Sequence, residues 1–225
     1  MKYVILTDRP WYRDMTAALQ ASTGRDFYFI GSRTKLTADH LRELNPRYVF
    51  IPHWSTKIPE EIYERFECVI FHMTNLPFGR GGSPLQNLIA RGIYDTKISA
   101  LRCVREMDAG PIYLKRDFYL EGSAEEIFIR AAKVITEMIE HMVRHEPVPV
   151  EQTGPVVTFK RRKPEESDIS KLAELKQVYD HIRMLDADGY PYSFLETKYL
   201  RFEFRRAVEM DNCVIANVCI TKKRP

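Results

Sequence analysis

The chain has 225 residues, 44% hydrophobic and 29% charged, enough to bury the core of one α/β domain with a small appendage. Its 34 basic and 31 acidic residues leave a net charge of +3, less basic than a dedicated nucleic-acid-binding protein, with the excess gathered at residues 160–163 and 222–224. The four cysteines, Cys68, Cys103, Cys213 and Cys219, show neither CxxC spacing nor a secreted framework, so a reduced, metal-free cytoplasmic protein is expected. The first apolar run ends at Asp8, too soon for a signal-peptide core or a membrane span, so neither export nor a membrane role is expected.

Short apolar runs at residues 3–6, 27–30, 48–51 and 69–71 read as buried strands. Between them, residues 11–21, 37–44 and 59–66 read as helices, with Thr37 as an N-cap. This alternation predicts an α/β fold, a doubly wound, mostly parallel, Rossmann-like sheet with right-handed crossovers. Further strands are expected at residues 96–105 and 112–119. Ser123 and Glu126 form a capping box for a long helix to His145, whose Ile127, Ala131, Val134, Ile135, Met138 and Met142 share one face. The Pro-containing stretch 146–155 reads as the end of the main domain, spanning residues 1–150. Residues 151–225 then form a small C-terminal α+β appendage, with a helix at 170–184 and strands near 193–194, 199–206 and 213–221, and a candidate for pairing with a second subunit.

The segment V-I-F-H-M-T-N-L-P-F-G-R-G-G-S-P-L-Q, residues 69–86, joins a strand ending in His72 to a glycine-rich loop. Open α/β sheets place ligands at such strand ends, and Gly79, Gly81 and Gly82 allow backbone N–H groups close to a ligand. Ser83 and Pro84 read as the N-cap and first position of a helix whose positive end would welcome an anion. A tight strand-to-helix turn explains the same glycines without a ligand. Asp108, in M-D-A-G-P-I, is either an ordinary turn aspartate or the partner that orients His72 as an acid/base pair. His53 and Trp54, in I-P-H-W-S, lie at another strand end and face either the same crevice or the core.

H-M-T-N-L-P-F-G-R-G-G-S-P-L-Q followed by D-A-G-P-I resembles the signature of the 10-formyltetrahydrofolate-dependent formyltransferases. Residues 72–77 match their H-x-S-L-L-P segment with Thr74 in the serine position, residues 80–86 match R-G-x-x-P-x-Q, and residues 108–110 match the D-x-G turn. Residues 161–169 and 182–191 resemble, more weakly, the passage into the C-terminal region of the sugar and tRNA enzymes. The resemblance implies 10-formyltetrahydrofolate as formyl donor, with the pterin against Ile70, Phe71 and the loop Cys103, Val104, Arg105 and Met107. It implies His72 and Asp108 as the catalytic pair and Arg80, Gly81, Gly82, Ser83 and Gln86 on the acceptor side, where His53 and Trp54 join them if their strand end faces the same crevice. The reaction it implies is attack of a neutral primary amine on the formyl carbon, without a metal.

One departure stands out. The family has an asparagine two residues before the histidine to hold the developing oxyanion, and Ile70 occupies that position here. Asn75 is the expected substitute, with Asn87 the other nearby amide, or a backbone N–H serves instead. The nearly balanced charge and the short C-terminal piece point to a small acceptor, a nucleotide-linked (UDP or dTDP) dideoxyamino sugar. Methionyl-tRNA is the alternative acceptor, kept open by the basic residues 160–163. A relative that binds folate or nucleotide without catalysis is the remaining reading, prompted by Ile70.

Overall fold

A computed structural model describes residues 1–9, 12–32, 35–54 and 56–223, and of Arg13 the backbone alone. Trp11, expected at the start of a helix, and Arg224, in the terminal basic cluster, lie outside the described residues. The chain forms two compact units that alternate along the sequence. Met1–Gly81, Lys97–Phe118 and Ile129–Thr158 make the first, and Gly82–Thr96, Tyr119–Phe128 and Phe159–Pro225 the second.

The first unit is built on a six-stranded sheet. In chain order its strands are β1 (Lys2–Leu6), β2 (Asp26–Ile30), β3 (Tyr48–Ile51), β4 (Cys68–His72), β6 (Asp95–Arg102) and β7 (Ile112–Tyr119), arranged β2-β1-β3-β4-β6-β7. β5 (Phe78–Gly81) pairs outside this sheet with β8 (Val157–Phe159). The pairs β1–β2, β1–β3 and β3–β4 are parallel, and β4–β6 is antiparallel. Central parallel strands are covered on both faces, which explains why Tyr3, Val4, Ile5 and Leu6 are all inaccessible to solvent. The helices α1 (Tyr12–Thr23), α2 (Ala38–Leu44) and α3 (Glu60–Tyr63) connect the early strands, as the alternating pattern predicts. Thr37 caps α2, its hydroxyl accepting from the His40 N–H at 3.2 Å.

Three expectations shift. The strand expected at 96–105 is Asp95–Arg102, with one more bond in the same register, from the Cys103 N–H to the Cys68 carbonyl at 2.8 Å, before the chain leaves the sheet. The glycine-rich stretch is partly strand, β5, in which Gly79 and Gly81 take φ of 80° and 106°. The helix expected from residue 170 begins only at Leu175, since the Ser170 N–H is held in a turn by Asp168 Oδ1 at 2.9 Å.

In the second unit, α4 (Pro84–Ile89) buries Leu85, Leu88 and Ile89. The helix α6 (Leu175–Arg183) buries Arg183 and Asp180 as an ion pair at 2.7 Å, with Arg183 Nη1 donating to the Leu120 and Gly122 carbonyls. An antiparallel sheet, ordered β11-β10-β9, closes the chain with β9 (Ser193–Glu196), β10 (Leu200–Met210) and β11 (Cys213–Lys222). This is the small α+β appendage the sequence implies. All four cysteines are free, two buried and two exposed. No helix of the described residues is long and apolar enough to cross a membrane.

The long helix α5 (Ala124–His145) starts where the capping box predicts. The Ser123 N–H donates to Glu126 Oε2 at 2.8 Å and the Glu126 N–H donates to Ser123 Oγ at 3.3 Å. Ser123→Ala, which removes the acceptor for that N–H, should lower stability by about 1 kcal/mol in urea denaturation.

Candidate active site

The site grows from the end of β4. Val69 and Phe71 are buried in the sheet, and His72, the last residue of the strand, is 6% exposed. The chain then turns through Thr74 and the cis Leu76–Pro77 peptide into β5. His72 Nε2 lies 2.8 Å from the Gly79 carbonyl oxygen, which can only accept, so the proton sits on Nε2. Thr74 Oγ1 donates to the same oxygen at 3.4 Å, and the Ser99 hydroxyl donates to the Thr74 carbonyl at 2.7 Å. The loop that carries His72 is therefore fixed from both sides.

Asp108 comes to the other ring nitrogen. Its Oδ2 stands 3.5 Å from His72 Nδ1 and accepts the Gly81 N–H at 2.9 Å. Asp108 holds φ of 53°, a left-handed conformation that aspartate tolerates better than most residues. Two residues on, a Cβ at Gly110 would meet the Arg102 carbonyl oxygen at 2.0 Å, so only glycine permits this return of the chain. Both ring nitrogens of His72 thus face acceptors, an arrangement suited to an imidazole that gains and loses a proton.

A residue that sequence reading passed over completes this arrangement. Gln152 Oε1 accepts from Arg80 Nε at 3.1 Å and Nη2 at 2.9 Å, while its Nε2 donates to the Asp108 and Gly110 carbonyls, each at 2.8 Å. It lies in the stretch read as a domain end, which is anchored because Ile112 and Val150 exchange two backbone hydrogen bonds at 2.8 and 2.9 Å. No local pattern marks Gln152. Lys115 was also passed over: its ammonium donates to Asn75 Oδ1 at 2.7 Å and to the Leu76 carbonyl, and burial, with Lys97 nearby, lowers its pKa.

The remaining expected site residues fall into groups. Asn75 is exposed and anchored by Lys115. Ile70 is half-buried against the core cluster of Val4, Leu6, Val49 and Cys103. In the loop after β6, Cys103 is buried, Val104 half-buried, Arg105 exposed, and Met107 65% exposed. Burial and then the Asp108 carboxylate push the Cys103 thiol up to about 11, so it stays protonated and is no nucleophile at neutral pH. Arg80 is half-buried and also faces Glu106 at 3.7 Å.

Gly82, Ser83 and Gln86 belong to the second unit and make their contacts there. Ser83 occupies the N-cap position of α4, but with φ of 51° its hydroxyl leaves the helix uncapped and accepts the Arg162 N–H at 3.1 Å. Gln86 is buried and donates to the Met184 carbonyl at 3.1 Å. Asn87 Nδ2 meets the carbonyls of Gly82, Ser83 and Lys160.

Back in the first unit, Trp54 packs on the core cluster, and His53 Nδ1 meets the Tyr12 hydroxyl at 3.2 Å. Burial and the Arg9 guanidinium lower His53 from 6.5 to about 3, which keeps it neutral.

Residues 164–221 match the family model for the C-terminal domain of methionyl-tRNA formyltransferase. A methionyl-tRNA formyltransferase from Clostridium thermocellum is 45% identical and superposes with a TM-score of 0.96 over 99% of this chain and 100% of that one. The methionyl-tRNA formyltransferase of Thermodesulfovibrio yellowstonii is 24% identical over 169 residues, 72% of this chain and 55% of its own. The chain spans about half the length of the curated relatives it matches. A sugar N-formyltransferase from a Shewanella species shares the fold at 13% identity, with a TM-score of 0.73 over 93% of this chain and 98% of that one.

The chain belongs to the formyltransferase family that includes methionyl-tRNA formyltransferase. Members of that family are enzymes that transfer formyl groups from 10-formyltetrahydrofolate.

Because the folded chain protonates His53 only near 3 and the unfolded chain does so near 6.5, stability should fall as pH drops through that window. His53→Gln should flatten this fall in urea denaturation carried out at a series of pH values, while leaving stability above pH 6.5 free of pH dependence from this residue.

Proposed function

We infer that the chain transfers the formyl group of 10-formyltetrahydrofolate to the α-amino group of a methionyl-tRNA. The observation that carries this acceptor is the full-length likeness to the C. thermocellum protein of that name. The amino-sugar reading rested on a C-terminal piece too small for a tRNA enzyme, yet that piece matches a methionyl-tRNA formyltransferase domain model. It stands as the competing outcome of the acceptor test.

The first unit has surface that suits a folate. Half-buried Ile70 and Val104 offer apolar contact, and the exposed loop at Arg105 and Met107 offers accessible main chain. The donor supplies the formyl carbon: the amine N–C bond forms as the bond from that carbon to the folate nitrogen breaks. One proton leaves the amine and one reaches the folate nitrogen.

His72 is the group built for that proton traffic, with Asp108 setting the orientation of its ring and the Gly81 N–H fixing Asp108. Ile70 has no donor and the His72 Nε2–H is already given to the Gly79 carbonyl, so nearby main-chain N–H groups are left to hold the charge developing on the formyl oxygen. Asn75 is left out of this set, since Lys115 anchors it on an exposed turn.

His72→Ala and Asp108→Ala should each lower kcat by about 10²–10⁴-fold, the usual contribution of a positioned acid/base group, with both variants still folded and Asp108→Ala, which loses the bond from the Gly81 N–H, less stable by roughly 1.5–3 kcal/mol. Near-normal turnover in both would remove the pair from the chemistry. Formyl transfer assayed by absorbance, with initiator methionyl-tRNA beside UDP- and dTDP-linked amino sugars, separates the acceptors. Turnover with tRNA alone supports this reading, and turnover with a sugar alone replaces it. Folate binding by folded protein without transfer to any amine would mark a binding relative.

A further inference from the structure

We propose that Gln152 is the positioning residue that holds the His72–Asp108 pair in register, an inference that rests on the formyl-transfer reading of this site. Its four hydrogen-bonding positions are all used: two N–H groups on the Asp108 and Gly110 carbonyls, and two lone-pair directions on Arg80. Asp108 is thereby held twice. The Gly81 N–H fixes its carboxylate and Gln152 fixes its main chain in the left-handed conformation at φ 53°. Arg80 and Gly81 are consecutive in β5, so Gln152 and Asp108 grip neighbouring residues of one strand. The result is a closed ring from Arg80 through Gln152 and Asp108 to Gly81.

Charge explains why the residue is an amide. Arg80, with a side chain 14% exposed, needs acceptors, and its neighbour in the ring carries the carboxylate that faces His72. Gln152 satisfies the guanidinium with a neutral oxygen and so leaves the Asp108 carboxylate to the imidazole. Without the amide, the Arg80 guanidinium would lose two contacts to an acceptor and keep only Glu106 at 3.7 Å, and the Asp108 and Gly110 carbonyls would lose their donor. A carboxylate moved by about 1 Å is enough to cost about 10²-fold in rate.

Gln152→Ala removes both halves of the clasp. Gln152→Glu keeps the size and the Arg80 contact but loses the two N–H donors, so it covers the case in which the alanine variant fails to fold. Each should lower kcat by about 10²-fold, with KM for folate and acceptor within about threefold of wild type. Each loss should largely vanish in an Asp108→Asn background, because the residue acts through Asp108. The wild-type ring N–H proton of His72 should be visible by NMR and should broaden in both variants.

A kcat within threefold of wild type, a loss that adds in full to that of Asp108→Asn, or an unchanged His72 signal would overturn the proposal. If the wild-type chain transfers no formyl group, the functional reading fails, and the His72 signal alone still decides the role of Gln152.

Discussion

The Gly81 N–H donates to the Asp108 carboxylate at 2.9 Å, and through this contact the loop after β6 is tied to the strand that follows β4. A hydrogen bond to a charged group contributes roughly 1.5–3 kcal/mol, whereas an unpaired buried carboxylate costs several times as much. Asp108 is only 9% exposed, and this donor and His72 are the partners its carboxylate has at the site. The contact in turn requires the backbone around it. Gly81 reaches it at φ 106°, Asp108 at φ 53°, and Gly110 must lack a Cβ to pass the Arg102 carbonyl. The D-A-G turn is thus less a flexible connection than a set of steric permissions for one carboxylate.

Ile70 shows two selection terms acting in opposite directions. A half-buried isoleucine against the core cluster contributes up to about 1.5–3 kcal/mol through apolar burial. A side-chain donor to an oxyanion, where a family member has one, is worth about 10²–10³ in kcat, or roughly 2.7–4 kcal/mol of transition-state stabilisation. The two magnitudes are similar but act on different quantities, stability and rate. The chain takes the first at this position. In the formyl transfer proposed above, more weight then falls on the fixed orientation of the His72 ring, held by the Gly79 carbonyl at 2.8 Å and Asp108 at 3.5 Å.

The strands and helices around this site were legible because buried parallel strands are continuous apolar runs and helix starts carry capping chemistry, as at Thr37 and Ser123. His72 and Asp108 could be paired because both lie in short signatures with glycine around them. Gln152 could not. It lies 44 residues beyond Asp108, in a segment whose prolines signal a linker, and its four contacts are all to groups distant in sequence. Ser83 takes the N-cap position that the sequence assigns to it, but a left-handed φ turns its hydroxyl to the Arg162 N–H and leaves the helix without a side-chain cap. The contact between Asn75 and Lys115, 40 residues apart, is likewise one that no one-dimensional spacing reveals.

Net charge is a coarse quantity for choosing an acceptor. A value of +3 averages over the whole chain, whereas a polyanion meets only the local array of cations. Residues 160–163 are a basic run on a backbone that is pinned: the Lys160 carbonyl accepts from Asn87 at 2.9 Å, and the Arg162 N–H donates to Ser83 at 3.1 Å. The Gly82 N–H adds a bond to the Phe159 carbonyl at 3.2 Å, and Gly82 has no room for a Cβ against Arg161. Cations on a fixed main chain have already lost much of the freedom that binding would otherwise take from them, so each phosphate contact costs less in ordering. Four such residues in sequence stand on the loop that precedes residues 164–221, the stretch matched by the methionyl-tRNA formyltransferase domain model, and they are the local array that the proposed tRNA acceptor would meet.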